Sequence, residues 1–285
     1  MLKAQVDSGY LDISQTRLYF ERAGTGIPLL LVHAGVADRE QWNNEFSNLS
    51  ENFQVIRYDL RGYGESDPAR GSFSHLQDLT NVIKKLNLTP PLILMGCSLG
   101  AVLSLDYALE NPQDIRALIM VGPGPCGFEI EDCAQELFSE AKKAFEAGDL
   151  KHLAEIETQM WFDCMYAEPD QVDRSMRALL YDMNRSVLGR ETDNIEQSQE
   201  KTANPSAIKM NQIDFPVLIV VGSEDLPYMH SAADYFVERI RSARKEIIEH
   251  AAHIPNIDQP HLFQEKVMNF LDEVTSGQDY DHIFR

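Results

Sequence analysis

The chain has 285 residues, enough to bury an apolar core as one large α/β domain, or as a core domain carrying an insertion, without disulfides or metals to staple it. With 25 basic against 45 acidic residues the net charge is −20, which favours solubility and argues against nucleic acid and anionic membrane surfaces as partners. No run of about 18 apolar residues occurs, and the first ten residues carry one lysine and no apolar secretory stretch, so a cytoplasmic protein without a membrane span is expected.

In chain order, short apolar runs alternate with helical patterns, the signature of a mostly parallel sheet with crossover helices. Strands are expected at Leu18-Tyr19-Phe20, before the turn Gly24-Thr25-Gly26, and at residues 29–32, a continuous apolar run suited to burial on both faces. Further strands are expected at 55–58, at 92–95 after Pro90-Pro91, at 117–121 before a Gly/Pro cluster, at 217–221 before Gly222, and at 246–248. Leu76, Leu79, Ile83 and Leu86 recur at helical spacing, as do Phe263, Val267, Phe270 and Leu271.

The alternation lapses between the strands at 117–121 and 217–221, a stretch far longer than a crossover needs. It reads as helices. One carries Leu137, Phe138, Ala141 and Phe145 on a stripe that stops at Gly148. A second is N-capped by Asp149 and holds Leu150, Leu153, Ile156 and Met160. A third has Pro169 in its first turn and Val172, Met176, Leu179 and Met183 on one face. The expected organisation is a core of residues 1–125 and 204–276, a helical cap over 126–203 that excludes water and shapes a pocket, and a disordered polar tail over 277–285. Trp161, with Met160, Met165, Met176 and Met183, is placed beneath the cap, where it either lines a substrate pocket or packs cap on core. Arg174, Arg177 and Arg185 are expected to be solvated.

The chemistry centres on Leu92-Ile93-Leu94-Met95-Gly96-Cys97-Ser98-Leu99-Gly100-Ala101. A buried strand runs into G-x-S-x-G and a helix-compatible run follows, which is the context the motif needs. The glycines allow a sharp strand-to-helix turn that lifts the serine hydroxyl clear, and the helix aims its N-terminal N–H groups at the same place. A serine at its free pKa is a poor nucleophile and needs a base, which in turn needs an orienting carboxylate. For such a serine the acid and then the histidine follow along the chain. Asp225 comes just after the strand at 217–221, with Glu224 as its competitor, and His253 comes just after the last strand. Both thus belong at the carboxyl edge of the sheet. One oxyanion donor should be the Leu99 N–H, and the second should come from His33-Ala34-Gly35-Val36. The four cysteines, Cys97, Cys126, Cys133 and Cys164, form no C-x-x-C pair and no zinc-spaced cluster, so they read as thiols, with Cys97 a packing residue.

Along nearly its whole length the chain resembles the α/β-hydrolase superfamily. His33-Ala34-Gly35 with Trp42 is similar to that family's His-Gly loop, and Asp59-Leu60-Arg61-Gly62-Tyr63-Gly64-Glu65-Ser66 to its D-x-R-G-x-G-x-S turn; the Ser98, Asp225 and His253 segments complete the set. The resemblance implies an α/β-hydrolase fold, a mostly parallel eight-stranded sheet flanked by helices with an inserted helical cap. It also implies Gly35 as the second oxyanion donor, with Val36 the next choice, and structural roles for His33, Asp59 and Arg61. Ala34 departs from the usual glycine. The cap most resembles the carboxylesterase, enol-lactone hydrolase and haloperoxidase-like branch. The His-Gly-Gly-Pro-Gly loop of proline iminopeptidases is absent, and serine stands where dehalogenases and epoxide hydrolases carry aspartate. The expected function is hydrolysis of a small ester or lactone by Ser98, His253 and Asp225, with no metal or organic cofactor. C–C bond hydrolysis, cofactor-free perhydrolysis and a non-catalytic ligand receptor are the alternatives. Nothing in the pattern specifies an oligomeric state.

Overall fold

The computed structural model describes residues 5–124, 135–163, 173–190 and 210–276. Eight strands form one sheet: β1 (Asp7–Ile13), β2 (Thr16–Ala23), β3 (Pro28–Val32), β4 (Gln54–Tyr58), β5 (Leu92–Cys97), β6 (Ile115–Val121), β7 (Val217–Gly222) and β8 (Ala243–Ile248). Their order is β1-β2-β4-β3-β5-β6-β7-β8. Strand β2 runs against its neighbours β1 and β4, and every other pair is parallel.

The central strands β3, β5 and β7 are buried along their whole length, which is why they read as unbroken apolar runs. Successive residues serve opposite faces. Leu30 and Val32 join one apolar cluster with Leu79 and Phe236; Leu29 and Leu31 join the other with Phe46 and Phe263. Helices α1 (Asn43–Leu49), α2 (His75–Lys85) and α3 (Leu99–Glu110) follow β3, β4 and β5. In α2 the Ser74 side chain caps the first turn by accepting from the Gln77 N–H at 3.3 Å.

Strand β1 has no counterpart among the expected elements. Its sequence is polar because it is an edge strand with an exposed face. It joins β2 through Ser14 and Gln15, both at positive φ (43° and 66°), without the Asn-Gly or Asp-Gly signal that announces such turns.

Between β6 and β7 the described residues form helices and no strand: α4 (Gln135–Glu146), α5 (Leu150–Thr158), a π-helical turn (Gln159–Asp163) and α6 (Arg174–Leu188). Asp149 caps α5, accepting from the His152 N–H at 3.0 Å. Three expectations need correction. Phe145 is 54% exposed, because α4 turns only Leu137, Ala141 and Ala144 inward. The third helix starts at Arg174, capped by Asp173, whereas Pro169 and Val172 lie outside the described residues. Arg177 is not a solvated charge; it donates to both Asp163 oxygens at 2.7–2.8 Å and to Glu155 at 2.6 Å, tying α6 to α5 and to the π-turn. Beyond α6, Arg190 donates to the Ser66 carbonyl at 2.7 Å, fastening the inserted helices to the loop after β4. Both junctions set at 125/126 and 203/204, and residues 277–285, lie outside the described residues.

Helices α7 (Pro227–Arg239), α8 (Pro255–Asp258) and α9 (Pro260–Thr275) complete the chain. All four residues of the last predicted stripe, Phe263, Val267, Phe270 and Leu271, are buried. No described helix is long and apolar enough to cross a membrane.

Helix α3 lies directly against the end of β3. A methyl group on Gly100 would sit 2.2 Å from the Val32 carbonyl oxygen and 2.7 Å from that of His33. Backbone on backbone cannot yield as a flexible side chain can. Gly100→Ala is therefore expected to destabilise the fold by about 3 kcal/mol or more in urea unfolding; a loss below about 0.5 kcal/mol would contradict this packing.

Candidate active site

Ser98 is the residue at which the chain leaves β5 and enters α3. Its backbone is at φ 52°, ψ −114°, a conformation costing a non-glycine residue roughly 1–3 kcal/mol. The surroundings enforce it. The Ser98 N–H donates to the Val121 carbonyl at 2.8 Å, and its carbonyl accepts from Ala101 and Val102 at 3.0 and 3.1 Å. Gly96 must lack a side chain, since a methyl group there would lie 2.1 Å from the Gly100 carbonyl. A serine at a helix N-cap normally uses its hydroxyl on the first-turn N–H groups. Here the hydroxyl makes no capping bond. Cys97, next to it, is fully buried, and burial pushes its thiol up to about 12, so it is a packing group rather than a nucleophile.

Asp225 and His253 come from the ends of β7 and β8. Their side chains meet in the interior, 5% and 2% exposed, with His253 Nδ1 3.0 Å from Asp225 Oδ2. The second Asp225 oxygen accepts from the Leu226 N–H at 2.8 Å, which fixes the carboxylate plane. A carboxylate only accepts, so Nδ1 carries the proton and Nε2 presents its lone pair. Nε2 is buried and has no hydrogen-bond partner among the described residues. Of the two acids considered at this position, Glu224 instead accepts from the Ser223 hydroxyl at 3.0 Å. Gly122, at φ +49°, leaves room for the imidazole: a methyl group there would lie 2.9 Å from Cε1 and Nδ1. The Ala252 N–H, donating to Asp258 at 2.8 Å, holds the strand-end loop that carries His253.

The loop after β3 lies beside the first turn of α3, for a methyl group on Gly35 would rest 3.6 Å from Leu99. His33 anchors it. Its Nε2 accepts from the Leu60 N–H at 3.0 Å, which leaves Nδ1 to donate to the Ala34 carbonyl at 2.7 Å; burial depresses its pKa and keeps the ring neutral. Asp59 organises the next loop by accepting from the Arg39 N–H, the Arg39 guanidinium and the Glu65 N–H at 2.7–2.8 Å. Arg61 forms a two-point pair with Asp78 at 2.7 and 2.9 Å. The structural roles expected of His33, Asp59 and Arg61 are those observed. As the first residue of α3, Leu99 has an N–H without an intrahelical acceptor, at the positive end of the helix dipole.

Trp161 stands on the π-turn with its ring centroid 4.8 Å from that of His253 and 6.2 Å from that of Phe138. It borders a small pocket with Val36, Phe162, Leu180 and Ile254. The methionines grouped with it do not share that position. Met160 and Met183 pack into the core, Met176 faces solvent, and Met165 lies outside the described residues. No group of three or more described His, Cys, Asp or Glu residues could hold a metal ion.

A set of buried polar residues escaped the sequence reading. The Gln41 Oε1 accepts from the Ala34 N–H at 2.9 Å. Its Nε2 donates to Asn256 Oδ1 at 3.3 Å, and Asn256 Nδ2 donates to the Gln41 carbonyl at 2.9 Å and to Glu45 at 3.2 Å. Burial pushes the Glu45 carboxyl up to about 7. No sequence signal marked them, because Gln41 and Glu45 stand among the polar residues of the stretch 39–49.

A family model described as alpha/beta hydrolase fold matches residues 27–260. A pimeloyl-[acyl-carrier protein] methyl ester esterase of Nitrosomonas europaea is 24% identical over 86% of this chain and 96% of its own. A 2-hydroxy-6-oxo-6-(2'-aminophenyl)hexa-2,4-dienoic acid hydrolase of Metapseudomonas resinovorans is 24% identical over 87% and 85%. Among solved structures, the enol-lactonase from Burkholderia xenovorans LB400 superposes with a TM-score of 0.75 at 21% identity, covering 92% of this chain and 99% of its own.

Glu45 gives this region a pH signature. The folded state holds a proton on Glu45 up to about pH 7, whereas the unfolded chain releases it near 4.5. Stability from keeping the group neutral is thus present below 4.5 and lost as the pH rises through 7, a difference of ~3 kcal/mol at most. Glu45→Gln, neutral throughout, is expected to raise Tm relative to wild type by more at pH 8 than at pH 5 in scanning calorimetry. An equal difference at the two pH values would contradict the assignment.

Proposed function

The chain belongs to the alpha/beta hydrolase fold family, and from that premise we propose that it is a serine hydrolase cleaving a small carboxylic ester or lactone through an acyl-enzyme. The observation that carries the reading is the buried Asp225–His253 pair, which leaves Nε2 without a partner among the described residues, at the same sheet edge as the Ser98 turn. In the proposed reaction Ser98 attacks the carbonyl carbon while His253 Nε2 takes the hydroxyl proton. Asp225 holds the imidazole in the required tautomer and stabilises its charged form. The tetrahedral oxyanion is received by the N–H groups of Leu99 and Gly35. His253 then protonates the leaving alcohol, and a water that it activates releases the acid and regenerates Ser98.

Donors fixed before the reaction need no reorganisation as charge develops, and loss of one such donor typically costs 10²–10³-fold, about 3–4 kcal/mol. The inserted helices act in this reading as a cap, with Trp161 packed against the His253 imidazole, where it restricts water and contacts substrate. The names of the relatives, a methyl ester esterase, an enol-lactonase and a dienoic acid hydrolase, support small carbonyl substrates. Esters and lactones share one route in this reading, because in both Ser98 attacks a carbonyl carbon whose leaving group is an alcohol oxygen.

Fluorophosphonate labelling followed by intact mass tests the reading. Wild type is expected to take up one label and Ser98→Ala none. On an ester panel, Ser98→Ala, His253→Ala and Asp225→Asn should each lose about 10³-fold or more in kcat. Folded wild type that neither labels nor turns over an ester, with a probe small enough to pass the cap, would defeat the reading in favour of a ligand receptor. Product analysis on lactone and diketone substrates assigns the bond cleaved.

A further inference from the structure

The buried amides of Gln41 and Asn256 join two parts of the active-site edge that are 215 residues apart in sequence. Gln41 sits in the 3₁₀ turn Arg39–Trp42, and Asn256 in α8, three residues after His253. The contact between them is reciprocal. The Gln41 side chain donates to the Asn256 side-chain oxygen Oδ1, and the Asn256 side-chain amide donates back to the Gln41 main-chain carbonyl, at 3.3 and 2.9 Å. Two antiparallel hydrogen bonds between planar groups fix both separation and rotation. The Gln41 oxygen then reaches the Ala34 N–H, directly before Gly35, at 2.9 Å. Glu45 closes the set by accepting from Asn256 at 3.2 Å.

We propose that Gln41 and Asn256 are positioning residues that lock the turn presenting the Gly35 N–H to the loop presenting His253, so that oxyanion donor and base move as one unit. The inference rests on the serine-hydrolase reading above. Gln41, Glu45 and Asn256 are all buried, and apolar residues of similar size would fill the same space without the desolvation cost. What the polar set adds is a single docking geometry, because any slip of one loop past the other leaves a buried amide unsatisfied. The bonds end on main-chain atoms of the loop after β3 and on the segment after His253. Catalysis is sensitive on that scale: a displacement of about 1 Å between reacting groups costs about a hundredfold.

The test is p-nitrophenyl acetate turnover by wild type, Gln41→Ala, Asn256→Ala and the double variant, with functional sites counted by the end point of fluorophosphonate labelling. Per counted site, Gln41→Ala is expected to lose about tenfold or more in kcat with KM within about twofold, since the damage falls on the transition state. Asn256→Ala should lose less, because Gln41 keeps the Ala34 N–H. The double variant should be no worse than Gln41→Ala, because the two residues act as a unit. Retention of wild-type kcat per site, however much Tm falls, would mean a purely structural role and overturn the inference; so would losses that multiply in the double variant. Should Gln41→Ala fail to fold, Asn256→Ala alone decides by the same criterion. Wild type that neither labels nor turns over sinks the hydrolase reading and this inference together, whereas active wild type beside equally active variants sinks this inference alone.

Discussion

Ser98 is held at φ 52° by the bond from its N–H to the Val121 carbonyl and by two glycines that let α3 close onto the ends of β3 and β5. The strain is local and the restraints are spread over three central strands. Strands β3 and β5 are buried throughout and lie side by side in parallel register, with Val32 opposite Gly96. Movement of the turn would therefore disturb the sheet itself. A strained residue persists only when its surroundings over-determine it, and here the core does so. The outcome is a serine at the sheet edge whose hydroxyl is not drawn into capping the helix that follows it.

The rest of the site is arranged around that point by loops fastened from behind. Asp225 is fixed by the Leu226 N–H, His253 by Asp225 and by the cavity that Gly122 leaves open, and the loop after β3 by His33 and Gln41. These fastenings use neutral amides, a neutral imidazole and a hydrogen-bonded carboxylate, which suits an interior where an unpaired charge is costly. The net charge of −20 bears on solubility and on which partners approach. Arg177 and Arg190 hold the inserted helices by ion pairing and by a main-chain contact to the core loop. That gives Trp161 a defined place against His253.

Most of this was legible in the sequence where one physical signal dominated. Residues 29–32, 92–95 and 217–221 are strands because burial on both faces demands unbroken apolar runs, and that signal is local. The order Ser98, Asp225, His253 was legible because each follows a strand, which sends them to one edge. Strand β1 was not, because an exposed edge strand need not be apolar and its Ser14–Gln15 turn lacks a glycine. Phe145 misled because periodicity marks a face without saying whether anything covers it. Arg177, Gln41 and Asn256 were opaque for a shared reason. Their partners are distant in the chain or across a loop, and a polar residue carries no sequence mark that separates a buried pairing from a solvated one.

The most direct test of the account is a crystal structure of the protein after reaction with a small fluorophosphonate, because the tetrahedral phosphorus stands in for the carbonyl carbon under attack. The account predicts phosphorus bonded to Ser98 Oγ, a phosphoryl oxygen about 2.7–3.1 Å from the N–H groups of both Leu99 and Gly35, and His253 Nε2 within hydrogen-bond reach of the adduct. Phosphorus on another residue, or an adduct at Ser98 whose oxygen turns away from both N–H groups, would contradict it.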